Sequence, residues 1–238
     1  MRIKFDQVNK DYGSISALKD FTLDVEPGEF IFIVGHSGAG KSTILKLILN
    51  QINPSSGEVM IDDIYLNNGK KEEIDHIRKK IGVIFQDYQL ITDKTVEENI
   101  GICLDIVEFP KDQILSKIDD VIKKVDLQDR RNLFPAQLSG GELQRAALAR
   151  ALAVEPRIIL ADEPTGNLDM DNSWNLIKLL KDINENEKTT IIMTTHDMSI
   201  IDSLNKRVIK LENGEMMEDK KEIKTEKKAK KNISSKKE

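Results

Sequence analysis

The 238 residues are 39% hydrophobic and 32% charged, with a formal net charge of −5, a balance that suits one compact α/β unit with an ample core. The longest apolar runs, such as Ile31-Phe32-Ile33-Val34, are far too short to span a bilayer, and no secretory signal is read at the start, so the chain is expected in the cytoplasm. Its single cysteine, Cys103, excludes an internal disulfide and a cysteine-based metal cluster, and is expected to be small apolar filler.

Residues 2–8 and 21–25 cluster or alternate apolar side chains in strand fashion. Pro27-Gly28 then turns the chain into the strand-like run 29–34. This run is short, apolar and bounded by glycine, as expected of a strand buried on both faces. It leads into Gly35-His36-Ser37-Gly38-Ala39-Gly40-Lys41-Ser42-Thr43, a G-x-x-x-x-G-K-S pattern placed before a helix predicted over 41–50. Such a P-loop bends tightly so that backbone N–H groups approach phosphate oxygens, and the helix N-terminus behind it adds positive potential. In that pattern Lys41 reaches the β- and γ-phosphates of ATP, Ser42 ligates Mg²⁺ and Thr43 is assigned to the α-phosphate. Tyr12, between the first two strands, is a candidate to stack on a purine.

Further strand-like runs at 57–61, 81–85, 158–162 and 189–194 alternate with helical segments. The alternation predicts a P-loop α/β fold with a mainly parallel sheet and crossover helices. Gln86 follows one of these runs and is expected to project from the sheet's carboxyl edge toward Mg²⁺ or water. From Leu90 to Pro135 the strand signal disappears, and a helical insert is placed at about 90–157. Within it, Thr95-Val96-Glu97-Glu98 reads as a capping box. Ile114, Ile118, Val121, Ile122 and Val125 form an apolar stripe on a helix starting near Lys111.

Ser139-Gly140-Gly141-Glu142 reads as a second capping box, opening an Ala/Leu/Arg-rich helix that runs to about Val154. Capping does not account for two glycines in a first turn, where each costs up to about 1 kcal/mol relative to alanine. Close approach of the backbone to an anion does. About twenty residues on, the apolar run 158–162 ends in Asp162 and Glu163: Asp162 is placed to reach the Mg²⁺ shell, and Glu163 to polarise water as a general base, a role worth about 10²- to 10⁴-fold in rate. His196 closes the run 189–195 on the same edge and is assigned to the γ-phosphate. From residue 219 onward nine lysines stand against four acids, so 218–238 is expected to be a disordered tail, with contact to anionic lipid as its functional alternative.

In this order the motifs resemble the ATPase subunits of ABC transporters over residues 1–217: Tyr12, Walker A at 35–43, Gln86 as the Q-loop, Leu138–Glu142 as the signature, Walker B at 158–163, Asn167-Leu168-Asp169 as the D-loop and His196 as the switch histidine. The resemblance implies the ABC ATPase fold, with an antiparallel β subdomain beside the parallel core. It also implies a homodimer in which Ser139, Gly140, Gly141, Glu142 and Asp169 close over a nucleotide held by the other copy. Gly35-His36-Ser37, Ile84-Phe85-Gln86-Asp87, Asp93-Lys94-Thr95-Val96 and Glu142 look most like the FtsE-type cell-division branch, although Leu143 stands where that branch commonly has glutamine. That branch implies an FtsX-like integral membrane permease as partner, docked about Gln86–Ile100. It also implies a peripheral position on the inner face of the cell membrane, with no nucleic acid involved. Lipoprotein-release and macrolide- or peptide-efflux ATPases share the segment 161–169 and are the alternative, as is an ATP-regulated scaffold recruited to the membrane or division ring.

Overall fold

The computed structural model describes residues 1–221. The chain begins with β1 (Ile3–Tyr12) and β2 (Ile15–Val25), continues through β3 (Phe30–Val34) and α1 (Lys41–Ile48), and returns with β4 (Ser56–Ile61) and β5 (Ile64–Tyr65). After α2 (Lys71–Arg78) and β6 (Ile81–Ile84) come the helices of the insert, α3 (Val96–Ile106), α4 (Ile114–Lys124) and α5 (Gly140–Ala153). The second half of the core follows: β7 (Ile158–Asp162), α6 (Met170–Glu187), β8 (Thr190–Thr194), α7 (Met198–Leu204), β9 (Arg207–Glu212) and β10 (Glu215–Lys220).

Two sheets form. One is antiparallel, ordered β2-β1-β4-β5; the other is ordered β10-β9-β3-β8-β7-β6 and is parallel except for β10 at its edge. Because strand side chains alternate between faces, β3 sends Phe30 and Phe32 into the core beneath the insert helices, and Ile31 and Ile33 into the core shared with α1 and the antiparallel sheet. β7 divides in the same way, Ile159 and Ala161 against Ile158 and Leu160. Both faces are covered, which is why these strands read as unbroken apolar runs.

The insert helices form as the local signals predict. Thr95 and Ser139 each cap a helix and each exchange bonds with the glutamate three residues on. Ile118, Val121, Ile122 and Val125 are buried on one side of α4 and its end. β6 and β7 lie side by side in the sheet, so the whole insert is the crossover between neighbouring strands. Three boundaries differ from the sequence reading. β1 runs on to Tyr12, past the predicted end at residue 8. β2 starts at Ile15 rather than near 21: Leu18 is buried, but Lys19 and Asp20, the latter at φ 43°, break the apolar alternation before Phe21. β10 runs through Lys220, so the expected tail boundary at 217/218 falls inside a strand. Asp219 is held there by the half-buried pair it makes with Arg207, Oδ2 to Nη2 at 2.7 Å. Residues 222–238, on which the tail expectations rest, lie outside the described residues.

Candidate functional site

The carboxyl ends of β3, β6, β7 and β8 open on one edge of the parallel sheet, where crevices in such folds take ligands. A cavity of about 650 Å³ lies there, lined by Ala17, Gly35 to Gly38, Gly40 to Thr43, Gln86, Asp162, Glu163 and His196. The P-loop, Gln86, the two acids and the histidine, far apart in sequence, are thus brought together.

α1 enters this cavity with its N-terminus bare. Gly40 at its N-cap has φ 109° and no side-chain cap, and a Cβ there would lie 2.5 Å from the Ala17 carbonyl, so only glycine fits the turn. The first N–H groups of α1 are left without side-chain partners, an anion-binding arrangement. Lys41 is buried, with Nζ donating to the carbonyls of Gly35 at 2.8 Å and His36 at 3.2 Å and lying 3.5 Å from Glu163 Oε1. His36 folds back, donating from Nδ1 to the Ser37 carbonyl.

Opposite the P-loop, Thr194 sets both acids. Parallel pairing places it level with Asp162; its hydroxyl donates to Asp162 Oδ1 at 2.7 Å and accepts from Glu163 N at 2.9 Å. Glu163 itself holds φ 44°, a backbone state uncommon for a residue with a side chain and one that persists where its surroundings hold it. Its carboxylate accepts from His196 Nδ1 at 3.1 Å. Ser42 Oγ donates to Asp162 Oδ1 at 3.4 Å. Among the described residues no group of three or more His, Cys, Asp or Glu side chains could hold a metal. The Ser42–Asp162 oxygen pair instead fits Mg²⁺, a cation that keeps several waters and takes phosphate oxygens beside one or two protein ligands.

Seven expected residues lie elsewhere, among them Ala39, which is fully buried in the P-loop and does not line the cavity. Tyr12 is not in the cavity lining; it stands exposed at the end of β1 with Lys10 Nζ 5.2 Å from its ring centre. Asp169 caps α6, accepting from Asn172 N at 2.9 Å and Asn172 Nδ2 at 2.7 Å, and these bonds hold its carboxyl below the usual range. The turn at Ser139–Glu142 is also outside this cavity. Gly141 packs against a neighbour that the sequence does not reveal: a Cβ there would lie 2.5 Å from Asn172 Oδ1, so the Asn172 side chain would have to shift. Ala17 and Thr194 are the site residues that motif reasoning misses.

Glu142 is not free. It accepts from the Ser139 backbone N–H and hydroxyl, both at 2.8 Å, and from Arg130 Nε at 2.7 Å. The Ser139 amide first and Arg130 next bring its pKa down to about 2. A folded pKa below the unfolded one stabilises above the unfolded value and loses that stabilisation as pH falls through the folded value. The stability difference between the wild-type chain and Glu142→Gln, read from urea melts, is therefore expected to be constant from pH 7 to about 5 and to close between about pH 4.5 and 2. A difference unchanged across that window would remove the carboxylate as its source.

The family model described as ABC transporter matches residues 18–166. The chain belongs to the ABC transporter ATP-binding family. It is 41% identical over 218 residues to the cell division ATP-binding protein FtsE of Bacillus subtilis, covering 91% of this chain and 95% of that one. It is also 41% identical over 215 residues to FtsE of Escherichia coli, covering 90% and 96%. Among solved structures it is similar to a dimeric bacterial ABC transporter cassette and to the same cassette's dimeric post-hydrolysis state bound to ADP and Pi. Each aligns with a TM-score of 0.84 and 38% identity over 92% of this chain and 98% of the cassette's. The ABC assignment makes this chain an ATPase. No described helix is long and apolar enough to cross a membrane.

Proposed function

We propose that two copies of this chain close head to tail over two Mg-ATP and that their opening and closing drives an FtsX-like membrane permease in cell division and the control of cell-wall hydrolases. The observation that carries the reading is the split between the two glycine-rich turns: one lines the cavity with Lys41, Asp162 and Glu163, and the other, Ser139–Gly141, lies outside it in the same chain. Ser139, Gly140 and Gly141 of one copy complete the nucleotide site of the other; that similar cassettes are dimeric supports a two-copy reading. When bound, Mg²⁺ neutralises phosphate charge during transfer.

The chain's own residues supply the rest. Ser42 and Asp162 hold the cation, and Lys41 exchanges its P-loop carbonyl partners for phosphate oxygens. Gln86 positions water or metal, Glu163 takes the proton of the attacking water, and His196 steadies Glu163 and the γ-phosphate. Similarity to FtsE proteins over nine-tenths of the chain supports the cell-division assignment, and Gln86 to Ile100 is the surface offered to the permease. The chain would sit peripherally on the inner face of the membrane.

The experiment is to purify the tagged chain from its native cell in mild detergent and identify the membrane protein that accompanies it. A permease of four spans with a large external loop is expected. A lipoprotein-release or macrolide-efflux permease would reassign the chain to transport, and a division-ring protein with no permease would make it a scaffold.

A further inference from the structure

The segment Gln86–Gln89 touches the cavity at one end and the signature helix at the other. Gln86 lines the cavity, and its backbone carbonyl accepts from Asn167 Nδ2 at 2.9 Å. Two residues later Tyr88 and Gln89 have φ 62° and 46°, consecutive left-handed residues bearing side chains, a turn that endures only where neighbours hold it. The neighbour is Arg150, ten residues after Gly140 on α5. Its guanidinium donates through Nη1 to the Gln89 carbonyl and through Nη2 to the Tyr88 carbonyl at 3.1 Å. Burial pushes Arg150 below its usual range, yet these hydrogen bonds go to two peptide carbonyls rather than to a carboxylate. The Tyr88 side chain reaches the opposite end of the same helix, where its hydroxyl lies 3.3 Å from the place a Cβ on Gly140 would occupy. One strained turn is thus held by the last turn of α5 and rests against its first.

We propose that Arg150 and Tyr88 form a latch linking Gln86, at the nucleotide bound by this chain, to Gly140, which faces the nucleotide of the other copy. Movement of the Q-loop turn is carried to the signature glycine through α5, so that the two half-sites of one chain change together. Arg150 is a positioning residue, since it does not line the cavity and acts through the Tyr88 and Gln89 carbonyls. The inference rests on the two-copy site proposed above.

The test is steady-state ATP hydrolysis by the full-length chain. Arg150→Ala is expected to lower kcat about 10- to 100-fold while KM for ATP stays within about threefold, the pattern of lost positioning rather than lost binding. Arg150→Lys is expected to recover part of the loss, because a point-charge ammonium cannot reproduce a planar fork on two carbonyls. If Arg150 acts through the Q-loop, Arg150→Ala combined with Gln86→Ala costs no more than about the larger single loss, whereas independent roles would add. Tyr88→Ala, which removes a half-buried side chain and leaves the core intact, is expected to share the kcat loss and keeps the test open should Arg150→Ala fail to fold. Additive losses, or wild-type kcat in both Arg150→Lys and Tyr88→Ala, would overturn the latch. The two-copy site has its own readout: if Ser139→Arg turns over ATP at the wild-type rate, that reading fails, whatever the coupling between Arg150 and Gln86.

Discussion

Glu163→Gln is expected to slow ATP turnover by about 100-fold or more while leaving ATP affinity within a few-fold. The substitution keeps the side chain's volume, and its single amide oxygen can still accept from Lys41, 3.5 Å from Glu163 Oε1, while its NH2 group takes the place of Oε2 and donates toward His196 Nδ1, 3.1 Å away. It takes away the ability to accept a proton. The backbone that aims the side chain, with φ 44° and its N–H on the Thr194 hydroxyl, does not depend on the side chain's charge. Binding and chemistry are thereby separated: a chain that binds ATP and cannot cleave it should accumulate as a dimer, seen by light scattering at saturating ATP with Mg²⁺. Wild-type turnover in this variant would remove Glu163 as the base, and slow turnover without a dimer would detach hydrolysis from closure.

The sequence makes the P-loop and the acidic strand end legible for one physical reason. Phosphate binding needs glycines, a helix start and a lysine within a few residues, so the whole device is local. Thr194 shows the opposite case. Its hydroxyl sets Asp162 and Glu163 only because β7 and β8 pair in register, Asp162 beside Thr194, and no spacing along the chain records which threonine of 189–195 meets which acid. Gly141 is a subtler example. The cost of glycine in a first helical turn is visible in sequence and points to close approach, but the neighbour within the chain is Asn172 on α6, thirty-one residues away. The sequence points to an anion; the contact with Asn172 is a different one that no spacing records. The ends of the core were obscured by polarity. α2 buries only Ile74 and Ile77, and β10, an exposed edge strand, has the composition of a tail and is fixed by the pair between Asp219 and a buried Arg207.

Mixing two inactive variants gives the second large effect. Lys41→Ala removes the buried ammonium at the P-loop, and Ser139→Arg places a large cation at the cap of α5, where the hydroxyl accepts from Glu142 N. Each variant alone is expected to fall to about 1% of wild-type turnover or less, since each homodimer carries two defective sites. In the proposed two-fold dimer each site takes its P-loop from one copy and its signature from the other. A heterodimer of the two variants then contains one site with both defects and one site with neither. Mixed one-to-one and allowed to exchange, half the dimers are heterodimers, so turnover is expected to return to about a quarter of wild type if the sites act independently. If both glycine-rich turns served the same nucleotide within one chain, every site in the mixture would stay defective and nothing would be recovered. If the two sites must fire together, recovery would also fail, but the mixture would still form ATP-dependent heterodimers. Light scattering with one variant carrying a mass tag separates these cases, because only a site shared between copies makes closure of the intact half depend on both chains.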